Sequence, residues 1–368
     1  MLKSTASKVI FRLAVLSLLA LSAVTVAFAQ PEQQDLNIDA ATRTQVVDAI
    51  LKRLNDSYVF PEVAKKMETS LRERVAKKEY DQITSAKEFA TTLTNDLQAV
   101  SHDKHLRVRY SFESIPERGE RREPTAEERE QRKRALTWMN HGFGKVERLP
   151  GNIGYLEFFN FADEELGADT VAAAMNFLNG TDSLIVDMRK NGGGNPAMVA
   201  LVCSYLFGPD PVHLNDLYWR EGNRTDEFWT KKELPGKRYL NKDVYVLTSK
   251  RTFSGAEEFT YNLKNLKRAT IIGETTGGGA HPGGGFRISE HFGMFVPTGR
   301  AISPITKTNW EGTGVTPDIT VPADQALVVA RLTALKKSLT TVNRDFKPGV
   351  EEEIQKLEKE LAVMKSKS

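Results

Sequence analysis

Apolar residues recur along the chain with two different periods, and the change of period divides it. Between residues 35 and about 100 the period is helical. Val46, Ile50 and Leu54 make one stripe, Val63, Met67 and Leu71 a second, and Phe89, Leu93 and Leu97 a third. Tyr58-Val59-Phe60-Pro61-Glu62 separates the first two, because proline starts a helix more readily than it continues one. Residues 106–110 read as a strand. From Gly151 onward short apolar runs alternate with helical ones: strands at 153–158, 183–188 and 242–248, helices at 168–178 and 196–207. After Ser254 another helix is predicted, with Ala256, Phe259, Leu263 and Leu266 on one face. Further strands are expected at 286–288, 295–296 and 319–321. Such alternation predicts an α/β domain with a mainly parallel sheet, preceded by a small helical domain.

Two stretches stand outside this scheme. At the start, Lys3, Lys8 and Arg12 precede an apolar run over 13–26 and the small-x-small triplet Ala27-Phe28-Ala29. This is the pattern of a secretory signal, so export to a periplasmic or extracellular location is expected. The run is short for a membrane anchor and no cysteine follows it; neither an integral nor a lipid anchor is expected after its removal. At 117–134 a charge run has nearly cancelling signs and reads as a solvated linker or exposed helix. The expected division is therefore a signal peptide at 1–29, a helical domain at 35–112, a charged linker at 113–150, an α/β core at 151–345 and a C-terminal helix at 346–368. In that last helix Ile354, Leu357, Leu361 and Met364 form a stripe, which fits packing on the core or pairing into an oligomer.

Composition narrows the function. The charged fraction is 27%, the hydrophobic fraction 40%, and the net charge of +3 includes the cationic signal, so nucleic-acid binding has no electrostatic support. Cys203, the single cysteine, excludes internal disulfides and lies in an apolar run, as a core residue would.

The candidate chemistry centres on Ser254, where a strand ends and a helix starts. A hydroxyl there projects from the sheet edge, and the N–H of Gly255 is one of the unpaired donors of the helix N-terminus. Serine is also a common helix cap, so the junction alone does not establish a nucleophile. Two glycine runs, 192–194 and 277–285, read either as tight turns or as loops whose backbone approaches a substrate. His102 and His105 lie at a helix-to-strand junction.

Taken in order, four segments carry a resemblance: Asp187-Met188-Arg189-Lys190-Asn191-Gly192-Gly193-Gly194, Thr252-Phe253-Ser254-Gly255-Ala256-Glu257, Gly273-Glu274-Thr275-Thr276-Gly277-Gly278-Gly279, and Gly314-Val315-Thr316-Pro317-Asp318-Ile319. Together they resemble the tail-specific, or C-terminal-processing, serine peptidases, in the branch without a PDZ domain that is similar to interphotoreceptor retinoid-binding protein and the tricorn protease core. The resemblance implies a crotonase-like α/β fold and hydrolysis of a peptide or protein substrate with no cofactor or metal. Where the best-known branch carries a catalytic lysine, this chain has Gly278. The tricorn-like arrangement implies Ser254 as nucleophile, His105 as base with His102 as its rival, and Glu311 orienting the imidazole directly or through another polar group. Gly255 and Gly193 would supply the oxyanion donors, and Gly277, Gly278 and Gly279 would form a substrate loop. The retinoid-binding relatives imply an alternative, a hydrophobic-ligand carrier lined by Phe158, Phe159, Phe161, Phe253 and Phe286.

Overall fold

Three helices open the described chain, which in the computed structural model comprises residues 34–117 and 125–367. The expected signal peptide and the first half of the charge run lie outside these residues. Helix α1 (Ala40–Ser57) is capped by Asp39, whose carboxylate accepts the Thr42 N–H at 2.8 Å. Helix α2 (Pro61–Ala76) begins on its proline, and α3 (Ala86–Ser101) is capped by the Ser85 hydroxyl. The three predicted stripes are the buried faces of these helices, with Val63 only partly covered.

The chain continues with β1 (Arg107–Tyr110), α4 (Ala126–Trp138), β2 (Phe143–Leu149), β3 (Ile153–Phe158), α5 (Glu164–Leu178), β4 (Ser183–Asp187), α6 (Pro196–Ser204), β5 (His213–Trp219) and β6 (Arg224–Trp229). It ends with β7 (Asp243–Thr248), α7 (Gly255–Asn265), β8 (Thr270–Gly273), β9 (Gly283–Arg287), β10 (Phe292–Pro297), β11 (Gly299–Ile302), β12 (Ile319–Thr320), α8 (Ala326–Ser338) and α9 (Lys347–Ser366).

The central sheet has the order β12-β8-β7-β4-β3-β2, parallel throughout except for the antiparallel edge strand β2. Side chains alternate along its strands, so each strand supplies two cores. Leu184, Val186, Val244 and Val246 face α5, α6 and α7, whereas Ile185, Tyr245 and Leu247 face α8 and α9. Cys203 is buried and free in the first of these cores. The α9 stripe packs inward: Ile354 and Leu357 are buried against α8, with Leu361 and Met364 partly covered beside them.

Two smaller antiparallel sheets, β1-β10-β9 and β11-β5-β6, flank the site. The first bears on the domain boundaries. Phe292, Met294 and Val296 of β10 share one core with α1, α2 and α3, so the helical segment and the later chain close a common interior. The stretch read as a charged linker likewise contains structure. Its first described helix, α4, buries none of its side chains, and its end, β2, is a strand of the central sheet. Among the described residues no helix is long and apolar enough to cross a membrane.

Candidate active site

The carboxyl ends of β4 and β7 lie side by side, and the turns that leave them are bound together. In parallel α/β sheets this is where ligands gather. Phe253 N–H donates to Asn191 O (3.1 Å), the Thr252 hydroxyl to Met188 O (2.8 Å) and the Ser249 hydroxyl to Arg189 O (2.6 Å). Arg189 grips both oxygens of buried Asp187, to which Tyr155 also donates at 2.7 Å. The charged pair of the Asp-x-Arg segment therefore holds the turn.

Ser254 caps α7 with φ +53° and ψ −122°, a sparsely populated conformation for a residue with a Cβ. Such strain persists only where the surroundings over-determine it. Part of that determination comes from Glu257, one turn into the helix. Its buried carboxylate accepts the N–H of Ser254 (2.9 Å), Gly278 (2.6 Å) and Gly279 (2.8 Å), and the hydroxyl of Thr276. Burial raises the pKa of this carboxyl while the four donors oppose the rise. The backbone donors of the expected substrate loop are occupied. Gly278 and Gly279 direct their N–H groups inward at Glu257, and Gly277 donates to Thr252 O at 2.9 Å. Glu257 did not stand out in the sequence as a residue that holds this turn, although Ser254-x-x-Glu257 is the spacing of a capping box.

Of the expected oxyanion donors, Gly193 and Gly255, one is occupied. The Gly193 N–H is taken by its own loop, donating to Asn191 Oδ1 at 2.9 Å. The Gly194 and Gly255 N–H groups donate to no partner among the described residues. They are close: a Cβ on Gly255 would stand 3.0 Å from Gly194 N. Both loop glycines are required. At φ +98° and +143°, a Cβ on Gly193 would lie 2.6 Å from Gly255 N, and one on Gly194 only 2.1 Å from Phe161 O.

The two candidate histidines part company. His102 is the αL C-cap of α3 and faces solvent. His105 turns inward, its ring 4.6 Å from that of Phe253, the residue before Ser254, and 5.9 Å from that of Phe295. Its Nδ1 is buried without a partner, and burial lowers its pKa to about 4 despite the opposing charge of Asp103. Among the described residues no hydrogen bond joins the Ser254 hydroxyl to a histidine.

Glu311 is not hydrogen-bonded to His105; the geometry brings it to His281 instead. Its Oε2 accepts Ala280 N–H at 2.5 Å and lies 3.5 Å from His281 Nδ1, while Oε1 is buried and unpartnered. Burial lifts its pKa to about 7, with His281 pulling down and Asp103 pushing up. His281 Nδ1 sits 2.8 Å from Asp103 Oδ2, which also accepts the Tyr58 hydroxyl at 3.2 Å. Neither Asp103 nor His281 stood out as a site residue; His281 lies within the second glycine run. Asp103, His281 and Glu311 offer three donors within 4.8 Å of one another. Two ligands of a tetrahedral ion stand about 3.4 Å apart, so the 2.8 Å separation of His281 and Asp103 is that of a hydrogen bond.

The phenylalanines of a ligand pocket do not converge. Phe158 and Phe161 are core residues, Phe159 is exposed, and Phe286 lies in the small β1-β10-β9 sheet, packed against the helical core.

Residues 152–321 match the model of peptidase family S41, and residues 37–138 match that of the N-terminal domain of Peptidase_S41 in eukaryotic IRBP. The chloroplastic carboxyl-terminal-processing peptidase 2 of Arabidopsis thaliana is 26% identical over 187 residues, covering 47% of this chain and 34% of that protein. The chain thus spans about a third of the length of that curated relative. Two solved structures share the fold. A Parabacteroides merdae protein described as a candidate peptidase aligns with TM-score 0.58 and 16% identity, over 82% of this chain and 99% of its own. A Streptococcus agalactiae lipoprotein aligns with TM-score 0.52 and 14% identity, over 80% and 96%.

Proposed function

We propose that this chain, which belongs to peptidase family S41, is a serine-type peptidase acting on peptide or protein substrates with Ser254 as its nucleophile. The observation that carries the reading is the strained turn at Ser254, flanked by the unpaired N–H groups of Gly255 and Gly194. Donors fixed before the reaction stabilise charge as it develops on the carbonyl oxygen, and need no reorganisation at that moment.

In this reading His105 takes the proton as the Ser254 hydroxyl attacks the scissile carbonyl, then returns it to the leaving amine. A pKa of about 4 keeps the imidazole neutral, and so able to accept a proton, at neutral pH. The imidazolium that forms is stabilised by the nearby Asp103 carboxylate. Gly255 and Gly194 hold the oxyanion. The signal pattern at 1–29 supports an exported enzyme meeting its substrates in the periplasm or outside the cell.

An alkyl fluorophosphonate tests the nucleophile. The wild-type chain is expected to be labelled covalently and Ser254→Ala to remain unlabelled. Equal labelling of both, or of neither, would reject Ser254 as an activated serine.

A further inference from the structure

Glu311 meets a histidine other than the one read as the base, and that meeting suggests how the glutamate acts. We propose that His281 is a positioning residue for the hydrolysis: it links Glu311 to Asp103, and Asp103 holds the turn that presents His105. The proposal rests on the reading of His105 as the base.

The link is continuous. Glu311 Oε2 lies 3.5 Å from His281 Nδ1, His281 Nδ1 lies 2.8 Å from Asp103 Oδ2, and Asp103 Oδ1 accepts the backbone N–H of His105 at 3.0 Å. A carboxylate only accepts, so the single Nδ1–H is donated to Asp103, and Glu311 Oε2 meets the same nitrogen as a 3.5 Å contact rather than a second hydrogen bond. The surroundings favour one arrangement. The Asp103 side chain is 0% exposed and that of His281 8%. The Phe60 ring meets the imidazole edge-on at 5.2 Å, and the Tyr58 hydroxyl donates to the same Asp103 oxygen. No other side chain donates to Asp103 Oδ2 among the described residues. Without His281 a buried carboxylate would lose its shortest donor, and such a group moves toward whatever donor or water it can reach. Asp103 Oδ1 would then release the His105 N–H, and the imidazole would lose its register against Phe253. Misplacing a reacting group by about 1 Å costs on the order of 10²-fold in rate.

The test uses the whole chain and an alkyl fluorophosphonate, with the maximal labelling rate kinact and the half-saturating concentration KI measured separately. His281→Ala is expected to lower kinact on the order of 10- to 10²-fold, with KI within about twofold. His281→Asn carries an amide N–H where Nδ1 stands and is expected to recover to within about fivefold of wild type; His281→Gln, whose amide lies one bond further out, is not. A normal kinact in folded His281→Ala would overturn the proposal, as would equal rates for the Asn and Gln variants. If His281→Ala does not fold, as judged by its melting curve, the Asn–Gln comparison decides. His105→Ala is run alongside. If it labels like wild type, the base assignment itself fails. If it loses labelling while His281→Ala keeps it, only the positioning role fails.

Discussion

The residue on which the pH dependence turns is His105. Its ring is confined between Phe253 and Phe295 with Nδ1 unpartnered, so burial disfavours the imidazolium and brings its pKa from 6.5 to about 4. In the proposed mechanism the neutral ring is the base, and it predominates above its pKa. The acid limb of kcat/KM, which reports groups of the free enzyme, is therefore expected at about pH 4, with a plateau below neutrality. A pH profile on a cleaved peptide checks this. A limb near 6.5, the ordinary histidine value, would mean that the ring is solvated or paired in the working enzyme.

Among the elements, the segment from Thr276 to Gly279 has changed character most between sequence and structure. It reads as loose, yet Glu257 gathers its donors at the start of α7. Gly278 has φ +81°, and a Cβ there would stand 3.0 Å from Gly314 N. Gly278→Lys, which restores the residue type of the lysine-dependent branch, is expected to lower stability by about 1–2 kcal/mol through backbone strain alone and to create no new hydrolysis. Thermal melts with activity assays would check it. A stable, more active lysine variant would show that the chain descends from a Ser–Lys enzyme and that the His-based reading is wrong. The turn at Ser254 depends on the same carboxylate, so strain at Ser254 and order in the glycine segment are one feature.

At the scale of the whole molecule, the helices α1–α3 and the later sheet close a common interior. Phe89 packs edge-on against Phe292 at 6.1 Å, Val59 N–H donates to Pro297 O at 3.0 Å, and Arg220 donates to the Tyr58 and Asn55 carbonyls. The same helical segment delivers Tyr58, Phe60, Asp103 and His105 to the site. Residues 35–367 are therefore expected to unfold in one cooperative transition, and deletion of 35–106 to leave a chain that does not fold. Calorimetry checks both expectations. Two separate transitions, or a folded remnant after deletion, would show that the helical segment is a domain of its own.

The sequence by itself determined what depends on local pattern. Helical stripes, alternating strands and the strand–Ser254–helix junction are set by side chains within a few residues of one another, and the ordered glycine and acidic motifs set the family. The antiparallel sheet β11-β5-β6 left no comparable mark: β5 and β6 are joined by a short turn but β6 buries none of its side chains, and their third strand, β11, arrives only much later in the chain. Which glycine N–H stays free could not be read either. Gly193 and Gly194 are chemically identical, and only the backbone turn imposed by Asn191 and Phe161 takes one donor and leaves the next. Glu311 was legible as a member of the site, but its contact was not. His281 and Asp103 are 178 residues apart, and they meet only because the fold brings the turn after α3 against the glycine segment. A periodic pattern records which side of an element is buried. Which polar groups share that burial is decided by the packing of distant elements, because each buried charge must find its partner wherever the fold brings one.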